Sequence, residues 1–423
     1  TDGLKLLLNS GAVTSYPTTG TNILDLCGDA NDGILANGVT FDAETKTLVF
    51  DGVDDYISIP NPLSMQSNLD QEWTVMAWVN LTEKHEQILV YGMNRHLYVV
   101  AWQGNNSILY LNSGANDYYK YGGDLISPGR WSFVTFRFRN ADGLITIYKN
   151  LTDVTTSGPN KTSTPDGISS TLRIGQLMEG NLGGILMYDR VLSNTELRQN
   201  YFQGPIVTDD LTFAIDASNL VSFEPGTTTT YSLTGSLDGT LTNGVGFSNT
   251  ANGSWVFDGV DDYIAINNLG LSSHTIEGWF NSADGSQGGA GYATICSIFG
   301  NYDGGASKYT YIGLIPNLTF RIDDGASSHA EIATVSYTAN TWYYVALTYD
   351  ATSGVAKAYV NGDEIGSRNS TTNITFNSIP HNIAKTQVNV YFDGEVASHK
   401  TYNRALTADE VAQNYNANIK RYT

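Results

Sequence analysis

The chain is poor in charge, in cysteine and in long apolar runs. Only 15% of its 423 residues are charged, and acidic residues outnumber basic ones by 42 to 22, a formal net charge of −20. Lack of basic residues excludes an electrostatic grip on nucleic-acid phosphates or on an anionic lipid surface, because both need a basic patch. No stretch approaches the roughly 20 apolar residues that span a bilayer, so membrane insertion is not expected. No signal peptide is visible, and Thr1 fits either removal of an initiator Met or cleavage of a leader. The two cysteines, Cys27 and Cys296, lack the neighbours of a metal cluster and read as free thiols rather than a disulfide. Thr, Ser, Asn, Gly and Tyr are abundant instead, a composition of strands and turns, so the chain reads as mostly β.

What is present is a duplication. Phe50-Asp51-Gly52-Val53-Asp54-Asp55-Tyr56-Ile57 returns as Phe257-Asp258-Gly259-Val260-Asp261-Asp262-Tyr263-Ile264, 207 positions later. Trp78 in TVMAWVN is answered by Trp279 in TIEGWFN, Trp131 by Trp342, and Tyr188-Asp189-Arg190 by Tyr402-Asn403-Arg404. The order is kept while loop lengths drift. A period near 200 residues is far longer than the roughly 20 to 50 residues of solenoid or propeller units. Two complete domains, 1–204 and 205–423, are expected, each long enough to bury its own core.

Each copy opens on a short apolar strand, LKLLLN or LTFAIDA, and passes through Gly- and Thr-rich turns. After Phe50 or Phe257 the Asp-Gly pair makes a tight turn, and period-two alternation resumes at Tyr56 or Tyr263. The next strand carries Val75, Ala77 and Val79 on one face and Trp78 on the other, matched by Ile276, Gly278, Phe280 and Trp279, so it should be covered on both sides. The Trp131 and Trp342 segments each lead through a Gly turn into an antiparallel hairpin. Ser193-x-x-Glu196 and Thr407-x-x-Glu410 are capping boxes, with Leu192/Leu197 and Leu406/Val411 as hydrophobic staples, so a helix of about two turns closes each copy. Gly204-Pro205 begins a short linker. The fold class is therefore all-β, two tandem antiparallel β-sandwiches, each closed by a short capped helix.

The ordered set FDGVDDYI, Ala-Trp or Gly-Trp strand, Trp strand and Tyr-(Asp/Asn)-Arg-x-Leu-(Ser/Thr)-x-x-Glu resembles the laminin-G-like jelly rolls of the concanavalin A-like lectin/glucanase superfamily. It occurs twice and covers nearly the whole chain. The opening SYPTTGTNILDLCGDANDG is similar to modules of marine bacterial surface proteins and phage virion proteins. The resemblance implies a jelly-roll fold and a choice among glycan binding, adhesion, calcium-dependent contacts, particle decoration and, in one branch, glucan hydrolysis. Fold alone does not choose among them.

Hydrolysis in that branch needs two carboxylates on one strand face, as Glu-x-Asp-x-Glu or Glu-x-Asp-x-x-Glu. No Glu here has Asp two positions on; Glu72, Glu277 and Glu331 are followed at that spacing by Thr, Trp and Ala. No zinc-protease, nucleophile-elbow or P-loop pattern is present. A non-enzyme is expected.

Calcium (Ca²⁺) is the one cofactor suggested, since Asp51, Asp54, Asp55 and Asp258, Asp261, Asp262 offer clustered hard oxygens. The same residues also read simply as turn formers. Sugar binding would use aromatic faces and Asn or Asp hydroxyl contacts, and the candidates are Trp102, Asn105, Asp117, Tyr118, Tyr119 and Tyr121 in the first copy, with Asn301, Tyr302 and Tyr309 in the second. Tyr110 and Tyr311, set among alternating apolar residues, read as strand formers. These readings converge on a non-catalytic display or adhesion protein on an extracellular surface or a virion, meeting glycans or a capsid or surface protein lattice. The alternatives are a virion decoration or fibre protein and, more remotely, a divergent glycoside hydrolase. Oligomer formation is compatible with each.

Overall fold

The structure is a computed structural model that describes residues 2–28, 31–60, 72–82, 87–92, 98–102, 106–112, 117–122, 128–139, 142, 144–155, 171–283, 296–300, 309–315, 317–323, 330–370, 380–386 and 389–423, with the backbone alone described over the strands between 98 and 122. The chain divides into two compact units, Thr1–Tyr201 and Phe202–Thr423. The division falls three residues before Pro205 because the segment after Tyr201 packs with the second unit. Gln413 Nε2 donates to Pro205 O at 2.7 Å and Val207 N donates to Asn414 Oδ1 at 2.7 Å.

In the first unit the larger sheet runs Thr152–Asp153, Leu144–Lys149, Ser132–Arg139, Glu72–Leu81, Glu179–Tyr188, Thr47–Asp51, Thr40–Asp42, and Leu4–Asn9 also pairs with Glu179–Tyr188. The described strands opposite it are five, Asn22–Ile23, Gly33–Ala36, Tyr56–Pro60, Thr171–Ile174 and Val90–Gly92, and three more, Tyr98–Trp102, Asn106–Asn112 and Asp117–Gly122. The second unit repeats the larger sheet as Gly246–Ser248, Ser254–Asp258, Asp393–Tyr402, His274–Ser282, Trp342–Asp350, Val355–Val360, Asp363–Asn369, with Leu211–Asp216 on Asp393–Tyr402. Its smaller-sheet strands join into one eight-stranded sheet from Thr229–Thr230 to Ala330–Val335. All registers between named strands described in both units are antiparallel, the architecture expected of an all-β jelly-roll sandwich.

The strand covered on both sides is as expected. Val75, Ala77 and Val79 lie in the first core beside Phe136, Ile185 and Leu172, and Ile276 and Phe280 lie in the second beside Phe299 and Val345. Trp279 faces the other way, into a cluster with Tyr344, Leu406 and Val411 beneath the closing helix. The helices are Asn194–Tyr201 and Ala408–Asn418. Both capping boxes form. Glu196 N donates to Ser193 Oγ (3.3 Å) while Ser193 N donates to Glu196 Oε2 (2.8 Å), and Thr407 and Glu410 repeat the exchange at the same distances. Each cap glutamate also accepts two bonds from the arginine of the motif, Arg190 (2.6 and 3.1 Å) or Arg404 (2.7 and 2.8 Å). The Arg and Glu of the repeated motif are therefore a structural clamp between the last strand and the helix.

The FDGVDDYI turn does something that its local pattern does not state. Thr47–Asp51 belongs to the larger sheet and Tyr56–Pro60 to the smaller, so the turn is a corner that carries the chain from one sheet to the other, and the same holds for Ser254–Asp258 and Tyr263–Ile266. Gly52 and Gly259 take φ +79° and +75° there, and a Cβ would sit 2.9 Å from Glu179 Cβ or 2.8 Å from Asp393 Cβ. Only glycine meets both demands.

Candidate functional site

At the corner of the first unit Asp51 Oδ1 accepts from Val53 N at 2.8 Å, an Asx turn, and Asp51 N donates to Asp55 Oδ2 at 3.0 Å. Asn37 Nδ2 holds the turn from outside by donating to Asp54 O at 3.0 Å. The second unit copies this with Val260 N to Asp258 Oδ1 at 2.8 Å and Asn243 Nδ2 to Asp261 O at 3.0 Å. In each corner one oxygen from every Asp lies within 4.8 Å of the others, and Asp55 and Asp262 are buried while their neighbours are exposed. Oδ1 of Asp55 and of Asp262 is enclosed and accepts no hydrogen bond among the described residues. Burial first, and then the neighbouring aspartates, push both carboxyls above the ordinary range, against the lowering effect of the backbone bond from Asp51 or Asp258. An all-oxygen donor set with a bare buried carboxylate oxygen is chemistry that a hard cation such as Ca²⁺ fits. Turn formation and cation binding are thus compatible uses of the same residues.

The sugar-binding candidates separate. Trp102 ends the Tyr98–Trp102 strand opposite Asn106, and Asp117, Tyr118, Tyr119 and Tyr121 lie on Asp117–Gly122, where Tyr119 faces Tyr110 and Tyr121 faces Ile108 in the register. The three-stranded sheet thus places Trp102 on one outer strand and Tyr119 and Tyr121 on the other, with Asn106–Asn112 between them. Asn105, Asn301 and Tyr302 lie outside the described residues. Tyr309, expected as a sugar contact, does not fit a sugar platform. Its side chain is 0% exposed, packed 5.8 Å from the ring of Tyr311 and against Ile315, so no ligand ring can reach its face. Tyr311, also 0% exposed, is a strand former as expected.

The larger sheet of the second unit holds a polar network that motif spacing did not reveal. Glu277, 0% exposed, accepts from Tyr344 Oη at 2.6 Å, from Asn414 Nδ2 at 2.9 Å and from Lys400 Nζ at 3.2 Å. Asn414 Nδ2 also donates to Tyr402 Oη, and Tyr402 Oη donates to Val207 O at 3.0 Å. Burial, and then the Glu277 carboxylate, hold the Tyr344 and Tyr402 hydroxyls well above the ordinary phenol range, so both remain protonated donors. A signal was present in the sequence, since Glu277 stands where the first copy has Met76, inside a strand buried on both faces.

With the sandwich, the helix clamps and the corner in view, the class is a pair of lectin-like jelly rolls. The chain belongs to the concanavalin A-like lectin/glucanase superfamily, whose laminin-G-like family model matches residues 51–198 and 258–412. Among curated proteins, none matches this chain in sequence. Similar solved structures include domain 4 of AbnA, a GH43 extracellular arabinanase from Geobacillus stearothermophilus, in complex with arabinotriose (17% identity, 49% of this chain, 98% of that one, TM-score 0.40). Others are the receptor binding domain of botulinum neurotoxin C/D mosaic serotype (12%, 96% and 97%, TM-score 0.41) and Trypanosoma rangeli sialidase in complex with sialic acid (13%, 93% and 67%, TM-score 0.36). No helix among the described residues is long and apolar enough to cross a membrane.

Proposed function

We propose that this is a non-catalytic display or adhesion protein, carried on an extracellular surface or a virion, whose two lectin-like units meet glycans or a protein lattice through their loops. The observation that carries this reading is the state of Glu277. A hydrolase of this fold needs a carboxylate on an open strand face, whereas Glu277 is sealed under the closing helix and committed to Lys400, Tyr344 and Asn414. The repeated motif residues Arg190, Glu196, Arg404 and Glu410 are likewise occupied in holding the fold. Ligand contact falls to what differs between the units, with Trp102, Tyr119 and Tyr121 as the glycan-stacking set. The acidic corners bind Ca²⁺ and stiffen the passage between the sheets.

The test is a glycan array probed with the full chain in calcium and in chelator. Trp102→Ala and Tyr119→Ala should abolish retention with the melting temperature unchanged, and calcium should raise the melting temperature in the wild type but not in Asp55→Asn/Asp262→Asn. Release of reducing ends from a polysaccharide panel overturns the non-catalytic reading, and superimposable melts in calcium and chelator overturn the cation site. Mass spectrometry of purified virions and of washed cell envelopes separates the two carriers.

A further inference from the structure

Between the sheets of the second unit, two histidines are locked together. His381 Nε2 and His399 Nε2 lie 2.9 Å apart with their rings 18° from coplanar, and both residues are buried, 1% and 0% exposed. His399 Nδ1 is 2.8 Å from the backbone oxygen of Glu277, which can only accept. His399 therefore carries its proton on Nδ1, its Nε2 is the acceptor, and His381 must donate from Nε2. Nδ1 of His381 is left enclosed, with no hydrogen-bond partner among the described residues. Phe299 lies parallel to His399 at 4.7 Å, and Phe213 packs 6.0 Å from it.

The pair has no good place for another proton. On His399 Nε2 it would oppose the proton donated by His381, with only the long contact to Thr401 Oγ1 (3.4 Å) to take it up, and on His381 Nδ1 it would create a buried cation with no acceptor among the described residues. Of the titratable groups on the packed strands, His274–Ser282 contributes His274, itself 0% exposed, and Glu277, whose carboxylate is spent on Lys400, Tyr344 and Asn414. Asp393–Tyr402 contributes Lys400, and both His274 and Lys400 disfavour further positive charge. Cys296–Gly300 presents Phe299 and Leu211–Asp216 presents Phe213. Neither imidazole is hydrogen-bonded to a carboxylate among the described residues. At the matching registers the first unit has aliphatic residues: Ile185 faces Ala77 where His399 faces Gly278, and Leu172 faces Ile59 where His381 faces Ile266.

We propose that the His381–His399 pair is an acid-sensitive latch, which holds the two sheets of the second unit together while neutral and releases them on mild acidification, leaving the first unit closed. Burial holds His381 down at about 3 and His274 at about 4, and lowers His399 well below the ordinary histidine value, with neighbouring positive charge adding to the effect for His381 and His399. These depressed values give the sign: stability is complete above the unfolded histidine value of about 6.5 and is lost as pH falls below it, about tenfold in the opening equilibrium per pH unit for each histidine.

The test is hydrogen exchange of the full chain between pH 6.5 and 5.0, corrected for the intrinsic rate, read on peptides from 274–282 and 393–402 against 72–81 and 179–188. Protection in the second unit should fall at least tenfold over this window while the first unit holds, and His381→Leu/His399→Ile should remove most of the difference, leaving the smaller part that His274 contributes. Equal pH responses in the two units, or a folded double variant with the acid loss of the wild type, overturn the latch. Should that variant not fold at pH 7.5, imidazole proton resonances of the wild type decide. Free titration of both rings near pH 6.5 with the fold intact refutes the latch, and rings that stay neutral until the second unit opens support it.

Discussion

The two units solve the same packing problem with different chemistry. Where the first places Met76 against Leu186 and has Phe133 at the register position of Tyr344, the second places Glu277 against Lys400 with Tyr344 donating to the carboxylate. The first retains the outer pair of the second's network with the bond reversed, since Tyr188 Oη donates to Asn200 Oδ1 at 3.4 Å where Asn414 Nδ2 donates to Tyr402 Oη, but it has no buried Glu–Lys pair for those groups to satisfy. The backbone scaffold therefore does not require the buried ions. Buried ion pairs are a poor source of net stability but a severe liability once one member is lost. At this place the second unit depends on complete hydrogen bonding, while the first relies on apolar packing.

The largest expected effect comes from breaking that dependence. Glu277→Met or Lys400→Leu alone leaves an unpaired buried charge and should cost the second unit roughly 3–5 kcal/mol. The double variant, which copies the first unit, should recover more than half of the loss. Urea unfolding followed by exchange in each unit measures this, and a double variant no better than either single shows that the pair is not what the scaffold tolerates.

Next comes the aromatic cover. Trp279 stacks on Tyr422 at 3.8 Å and on Tyr415 at 5.7 Å, whereas the half-buried Trp78 packs on Phe133 at 4.6 Å. Trp279→Ala should cost roughly 3–5 kcal/mol and Trp78→Ala clearly less. Equal shifts in unfolding midpoint would remove this asymmetry.

The smallest effect tests what the units share. Hydrogen bonds from Arg190 and Arg404 hold Glu196 and Glu410 down at about 2, from an ordinary 4.5. A depressed carboxyl stabilises above its unfolded value and loses that contribution as pH falls toward the folded one. Arg190→Met and Arg404→Met should each cost about 1 kcal/mol at pH 7, the pairs being partly exposed and screened. The deficit should shrink between pH 4.5 and 2. A deficit independent of pH means that the arginine acts through packing.

Duplication made the scaffold legible. Two copies of the Trp-bearing strand, with apolar residues on both faces, and two capping boxes located the covered strand and the closing helix, because both depend on local sequence. The corner was legible as a turn but not as a passage between sheets, since the partners of Thr47–Asp51 and Tyr56–Pro60 lie far away in the chain. The burial of Tyr309 is not legible in the sequence for the same reason: a tyrosine reads alike whether its ring meets water or another strand. The spacing around Glu277 excludes a catalytic motif but says nothing of a buried network, although its alignment with Met76 places a charge inside a core.

The strand Glu179–Tyr188 pairs with Leu4–Asn9, Thr47–Asp51 and Glu72–Leu81, yet it is the last long strand of its unit to be synthesised. A nascent chain that ends before it has built the neighbours on both sides of a gap and holds their edges unpaired. Closure must await some of the most sequence-distant contacts in the unit, which makes folding slow and exposes those edges on the ribosome. Because Asp393–Tyr402 occupies the same place in the second unit, the chain passes through this vulnerable interval twice.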